Sequence, residues 1–409
     1  MRKGQRTKVG DKMNRILSKR ASELKPSATL AISAKEKELK SQGVDVIGFG
    51  AGEPDFPTPS RIREAAKRSL DKGETFYTAV GGTLELRKAI VQRFTADYGL
   101  MYKVENIVVS CGAKHSLYNI FQAIVDPGDE IICLAPYWVS YPEMVALAGG
   151  KPVTIETSES RGFEPEIESI SERISPATKA IILNYPSNPT GVMYSRKFLE
   201  KLAELVERKD LLVISDEIYD KLLFDGRRYT PFATIPGMKS HTVTVNGVSK
   251  TYAMTGFRIG YLATDSMEIV KATTNIQSQS TSNPSSTAQA AAAEALTGPQ
   301  TEVIEMRSIF ERRRDLMVEL VNQVPGLSLV TPQGAFYVFV NISYFLGSKG
   351  ITGSSDFAAY LLENHYVACV PGGPFGSDEH IRLSFATKED VIVEGMKRIK
   401  TACDELNNA

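Results

Sequence analysis

HTVTVNGVSKTYAMTGFRIG, residues 241–260, starts as a β-branched run and reaches a lysine among small residues, with an arginine eight positions further on. The run HTVTVNG has the residue types of a strand. Lys250 follows it closely, so the lysine is expected at a strand end and not on a solvated helix face. A lysine that is to attack an aldehyde needs such a place, partly out of water, because only the neutral amine is a nucleophile. Arg258 offers a fixed guanidinium fork for a phosphate. Taken singly, each of the two reads as a surface charge.

Upstream, short apolar runs of the same kind alternate with helical stretches. The strand candidates are NIVVSC (106–111), EIICLA (130–135), KPVTIE (151–156), KAIILN (179–184) and DLLVISD (210–216). Helices are expected between them, at KHSLYNIFQAIV (114–125) and SRKFLEKLAELVERK (195–209). Strands this apolar, separated by helices, predict an α/β fold with a mostly parallel sheet buried on both faces. Ligands in such sheets sit beyond the carboxyl ends of the strands.

Nearer the N-terminus, LAISAKEKELKSQG (30–43) has helical spacing and stops at Gly43. IGFGAGEPDFPTPS (47–60) reads as a strand entering a Pro/Gly loop, with Ser60 able to cap the next helix. Downstream, TAQAAAAEALTGPQ (287–300) predicts a helix, a break at Gly298-Pro299, then a long charged helix to about Val324. GAFYVFVNI (334–342) and EHIRLSFA (379–386) follow in a different rhythm. The reading is a large domain over 61–296 and a smaller α+β domain from 25–60 together with 297–409, preceded by a basic arm over 1–24.

The chain of 409 residues balances 48 basic against 48 acidic side chains, which argues against a nucleic acid or an anionic membrane as partner. No apolar run approaches the ~18–20 residues of a membrane span. Cys111, Cys133, Cys369 and Cys403 form no Cys-x-x-Cys pair and read as reduced thiols of a cytoplasmic protein. His115, His241, His365 and His380 have no metal-ligand spacing, so no metal is expected. The first twenty residues carry many Lys and Arg, one acid (Asp11) and no apolar signal core; a basic arm is favoured over a serine-poor transit peptide.

Polar motifs follow the strand candidates directly. In SDEIYDKL (215–222), Asp216 stands at a strand end, in what also reads as a strand followed by a charged helix start. YPSNPTG (185–191) holds Asn188 in what is also simply a good turn. APYWVSYPE (135–143) carries the sole tryptophan, Trp138. In SCGAKHSL (110–117), a strand-to-helix turn offers backbone N–H groups at Ala113 and Lys114 to a phosphate.

The string 247–260, with these motifs in this order, resembles the class I pyridoxal-phosphate-dependent aminotransferases of fold type I. The likeness runs from KPSAT (25–29) to the strand of Arg382. It implies a seven-stranded sheet between helices, pyridoxal 5′-phosphate as cofactor, and a homodimer with shared active sites. Lys250 would carry the cofactor as a Schiff base and Arg258 would bind its phosphate. Asn188 and Tyr219 would meet the phenolic oxygen, Asp216 the ring nitrogen, and Trp138 would stack on the ring. Tyr77 in FYTAVGG (76–82) would reach the phosphate of the partner subunit. Arg382 would bind the substrate α-carboxylate, with Gly52 contributing a backbone contact and Asn188 and Trp138 lying beside the substrate. Phe257, where tryptophan is frequent, and GAKH, where GGKQ is frequent, are departures that remove no catalytic group.

KPSAT together with Lys114 resembles the bacterial aspartate aminotransferases, a subgroup that includes prephenate aminotransferases. Lys114 and Thr29 would then meet the distal carboxylate of aspartate or glutamate. Lys25 would favour prephenate, or is a solvated residue before a proline. A dicarboxylate wants two cationic anchors, and Arg382 and Lys114 supply them. The expected reaction is reversible amino transfer between aspartate or glutamate and 2-oxo acids. Alternatives on the same fold are aromatic or alanine aminotransferases and enzymes that eliminate, such as carbon–sulfur lyases. A regulator that keeps the domain only as a sensor would need a DNA-binding domain, for which the arm is too short.

Overall fold

The computed structural model describes residues 17–24, 26 and 28–408, with no side-chain detail at 19, 28–30 and 33. Lys25 lies outside the described residues, and Thr29 is placed only as part of the helix Ala28–Ser41.

In chain order the strands are β1 (Ile47–Gly48), β2 (Ile107–Ser110), β3 (Glu130–Leu134), β4 (Lys151–Ile155), β5 (Thr178–Asn184), β6 (Leu212–Asp216) and β7 (Thr242–Gly247). They continue as β8 (Gly260–Ala263), β9 (Ser328–Leu329), β10 (Tyr337–Asn341), β11 (Val367–Ala368), β12 (Val370–Pro371) and β13 (His380–Ser384). A seven-stranded sheet has the order β2-β8-β7-β6-β5-β3-β4. All its pairs are parallel except those of β8, which runs antiparallel to both β2 and β7.

Burial of both faces explains why the strands read as continuous apolar runs. Ile132, Leu134, Ile181, Leu183 and Val213 pack into one core, with Phe198, Leu202 and Val206 of the helix Arg196–Lys209. The alternate residues Ile131, Cys133, Ala180, Ile182 and Ile214 pack into another, with Leu117, Ile120 and Phe121 of the helix Ala113–Ile124. The two-residue period of a strand sends neighbours to opposite layers, so both layers need to be apolar.

The six strand candidates all form strands. The seventh, β8, was not singled out, because its four residues continue directly from the lysine–arginine string. Ser60 also departs from expectation. Pro59, with φ −49° and ψ 141°, takes the cap position of the helix Ser60–Asp71, and no side chain caps it. Ser60 is therefore already the first helical residue.

A second, antiparallel sheet has the order β12-β13-β10-β9. The pair β1-β11 joins a strand from before the large sheet to one from after it. Helices Thr301–Asn322, Ser354–His365 and Glu389–Asn407 cover these strands over a core containing Phe310, Phe336, Phe357 and Ile399. Among the described residues no helix is long and apolar enough to cross a membrane.

Candidate active site

The carboxyl ends of the central parallel strands converge on one place. Asp216 is the last residue of β6, Lys250 follows β7, and Asn188 follows β5. From the other sheet, β13 brings Arg382 to the same place, since Arg382 Nη1 donates to Asn188 Oδ1 at 2.9 Å.

Asp216 is buried, and its Oδ2 accepts a 2.7 Å hydrogen bond from Tyr141. Loss of water pushes its carboxyl up to about 6, against the opposing pull of that bond, the Ile218 N–H and the Lys250 charge. No cation among the described residues lies within ion-pair distance of it. A buried carboxylate without a cationic partner is costly, and a cation at this strand end would relieve it.

Lys250 is half-buried, and its Nζ donates to the Gly52 carbonyl at 2.5 Å. Desolvation is the main cause that brings the amine down to about 8; Glu53 opposes it, Arg382 and Arg258 add to it, and Asp216 opposes it more weakly. A lysine held there has a usable neutral fraction near neutral pH.

Arg382 is 1% exposed. Nη2 donates to the Gly50 carbonyl at 2.9 Å, while the buried Nε has no hydrogen-bond partner. The guanidinium lies over Tyr337 at 4.3 Å and Phe375 at 5.3 Å. Among the described residues it has no carboxylate partner, and a buried guanidinium of this kind suits an anion.

Arg258 and the turn before the helix Ala113–Ile124 are pressed together. Arg258 has φ +56° and donates to the Thr255 and Cys111 carbonyls at 2.9 and 3.4 Å. A Cβ on Gly112 would come within 2.4 Å of Arg258 Nη2, and one on Gly260 within 2.1 Å of the Ala113 nitrogen. Both glycines are thus required for guanidinium and helix N-terminus to share one corner, where positive potential and free N–H groups suit a phosphate.

Lys114 leaves the same helix start and places Nζ 4.6 Å from the Trp138 ring centroid. Burial, then the nearby Arg258, lowers its pKa. Trp138 meets Tyr141 edge-on, with centroids 5.4 Å apart, so Lys114, Trp138, Tyr141 and Asp216 form a continuous wall. The Tyr219 hydroxyl lies 3.1 Å from that of Tyr337.

Of the expected residues, Tyr77 stands apart. Tyr77 is 90% exposed beside Phe76 at 83%, and neither is brought into this chain's own site. Thr29 is placed no more closely than its helix.

Several site residues escaped the sequence reading. Tyr141 holds Asp216, Tyr337 meets both Tyr219 and Arg382, and Asn184 ties two motifs together. The Asn184 amide donates to the Asp216 carbonyl at 2.9 Å and accepts from the Asn188 N–H at 3.0 Å. A signal existed for Tyr141, which is three positions from Trp138 where a helix begins, a spacing that shares a face.

A family model for class I and II aminotransferases matches residues 44–399. The chain is 49% identical over 385 residues to an aspartate aminotransferase of Bacillus subtilis, covering 94% of this chain and 98% of that protein. It is 46% identical over 399 residues to an aspartate/prephenate aminotransferase of Cereibacter sphaeroides, covering 96% and 100%. Among solved structures, the aspartate aminotransferase from Thermus thermophilus with maleate has a TM-score of 0.90 at 44% identity, covering 94% of this chain and 99% of that one.

Proposed function

Because the chain belongs to the class I and II aminotransferases, we propose that it transfers the amino group of aspartate or glutamate reversibly to 2-oxo acids, using pyridoxal 5′-phosphate attached at Lys250. The observation that carries this reading is Arg382, a buried guanidinium that among the described residues has no partner at Nε and no carboxylate beside it. Its geometry fits one carboxylate of an amino acid. Lys114, whose amine lies over Trp138, is the cation for the second carboxylate. Maleate, named with the Thermus thermophilus structure, is a dicarboxylate of the same kind.

The residues present fit the cofactor. Arg258 and the N–H groups at Ala113 and Lys114 form the phosphate corner that Gly112 and Gly260 make possible. Asp216 supplies the negative charge for a protonated ring nitrogen, and Tyr141 holds it in place. Asn188 and Tyr219 would hold the phenolic oxygen, and Trp138 would lie against the ring. When bound, pyridoxal phosphate supplies an aldehyde carbon that takes up the amino group and a conjugated ring that accepts electrons from the substrate α-carbon.

The protein's own steps follow. Arg382 and the Gly52 backbone orient the α-carboxylate, which fixes the Cα–H bond relative to Lys250. Lys250 Nζ takes that proton and returns it, and an amine near 8 suits both directions at neutral pH. Lys114, with Thr29, selects the distal carboxylate.

Prephenate is a further acceptor in this reading, supported by the relative named for both substrates, and Lys25 is the residue assigned to it. Tyr77 acts in the partner's site, so the working unit is a homodimer; its exposure beside Phe76 supports this. In this reading the 25–60 and 297–409 segments form the small domain around 61–296, and the protein works in the cytoplasm.

The test is borohydride reduction of the protein with pyridoxal phosphate, followed by peptide mapping and a donor–acceptor screen that includes prephenate. Label on the Lys250 peptide and preference for aspartate over alanine and phenylalanine are expected. A protein that takes up no pyridoxal phosphate, or releases pyruvate and ammonia without an acceptor, would sink the proposal.

A further inference from the structure

A loop and a turn meet at three points on the rim of this site. The loop, residues 51–59, follows β1, and the turn, 248–258, follows β7. The Gly52 carbonyl accepts from Lys250 Nζ, Glu53 Oε2 accepts from the Thr255 hydroxyl at 2.6 Å, and the Thr58 hydroxyl donates to the Ala253 carbonyl. From behind, Asp55 accepts a 2.8 Å bond from Arg313, and Phe56 packs edge-on against Phe310 of the helix Thr301–Asn322. The loop is thus fixed to a rigid element, as a group that positions another needs to be.

Of the three contacts, only that of Glu53 brings a charge to the turn. The charged groups facing Lys250 are Glu53 from the loop, Arg382 from β13, Arg258 from its own turn and Asp216 from β6. Both arginines oppose a positive charge on the lysine nitrogen. Asp216 is bonded to Tyr141 and assigned to the cofactor ring. Glu53 is next in sequence to Gly52, whose carbonyl accepts from the Lys250 nitrogen, and its carboxylate is bonded to the same turn.

We propose that Glu53 is a positioning residue of this site, fixing the Lys250 turn against the 51–59 loop and supplying the negative charge that faces the Lys250 nitrogen. This rests on the proposed role of Lys250 and adds to it the group that offsets two arginines. A nitrogen that takes and returns a proton at one site works best when its affinity is near the ambient pH. With the Glu53 charge removed, it would hold that proton more weakly. Because Glu53 is exposed, salt screens part of its effect.

The test uses the full-length holoenzyme and the pH dependence of the bound cofactor's absorbance. Glu53→Gln is expected to move the midpoint of that change to lower pH by roughly half a unit to one unit, less at about 1 M salt. The acid limb of the kcat/KM profile is expected to move with it. Glu53→Asp, which keeps the charge, is expected to restore most of the midpoint. An unmoved midpoint in Glu53→Gln, with the cofactor bound at Lys250, overturns this inference and leaves the proposed function intact. A wild-type protein with no bound chromophore overturns the proposed function itself.

Discussion

Arg382 and Asn188 are joined by a 2.9 Å hydrogen bond that spans the two sheets, from β13 to the loop after β5. The candidate carboxylate receptor and a candidate cofactor ligand therefore move together, and a change at one is felt at the other.

Replacing Arg382 by lysine keeps a charge but loses the planar fork. Steady-state kinetics are expected to show kcat/KM for aspartate down about 10–100-fold, in line with the ~1.5–3 kcal/mol of a charged hydrogen bond. Arg382→Met is expected to abolish activity yet raise the melting temperature of the cofactor-free protein, because it removes a buried, unpaired cation. An unchanged kcat/KM in Arg382→Lys would remove Arg382 from substrate binding.

Asp216 makes the cofactor-free protein less stable as pH rises. Its folded carboxyl stands near 6 against a model value of 3.8, so the folded state binds more protons between those values. Stability is then lost as pH climbs from about 4 to 6, by roughly 3 kcal/mol in all. Urea unfolding of Asp216→Asn is expected to show greater stability than wild type at pH 8 and no advantage at pH 4. Lys250 behaves in the opposite sense: its pKa is lowered to about 8, so its cost is present below that value and fades as pH rises toward 10.5. Lys250→Met is expected to stabilise the cofactor-free protein at pH 7 and to lose that gain above pH 10.

Gly260→Ala places a Cβ 2.1 Å from the Ala113 backbone nitrogen, where no side chain is able to yield. A loss of about 1–3 kcal/mol in unfolding free energy is expected, with weaker retention of pyridoxal phosphate on dialysis. Gly112→Ala meets the flexible end of Arg258 but sits at φ +93°. It is expected to weaken phosphate binding as well, with the smaller effect on stability.

Phe76→Ser combined with Tyr77→Ser is expected to shift sedimentation from dimer to monomer and to abolish activity in each chain. Tyr77→Ser alone, with Phe76 kept so that the chains still associate, would restore partial activity when mixed with Lys250→Ala if Tyr77 serves the partner's site, because one of the mixed dimer's two sites would then be intact. No recovery on mixing would remove the shared-site reading.

The sheet was legible because strands buried on both faces carry apolar side chains at most positions, and Asp216, Asn188 and Lys250 follow such runs closely. β8 was hidden for the opposite reason: four residues continuing from a functional string give no pattern of their own. Ser60 missed its role by one position, since the fixed backbone of Pro59 occupies the cap. Tyr141, Tyr337 and Asn184 act through contacts between segments far apart in sequence, which no local pattern records. The unpartnered Nε of Arg382 belongs to the same class, being a property of what surrounds the residue.

Placing β8 between β2 and β7 also orders events during synthesis. Ile107 finds its ladder partner only in Ala263, so β2 leaves the ribosome long before anything exists to pair with it. Parallel strands β3 to β7 are complete earlier and are able to collapse without it. Loop closure over so long a separation is slow, and unpaired edges are exposed meanwhile. The corner of Gly112 and Arg258, which needs β2 and β8 side by side, is therefore expected to form after the strands that bear Asp216 and Asn188, as pulsed hydrogen exchange would show.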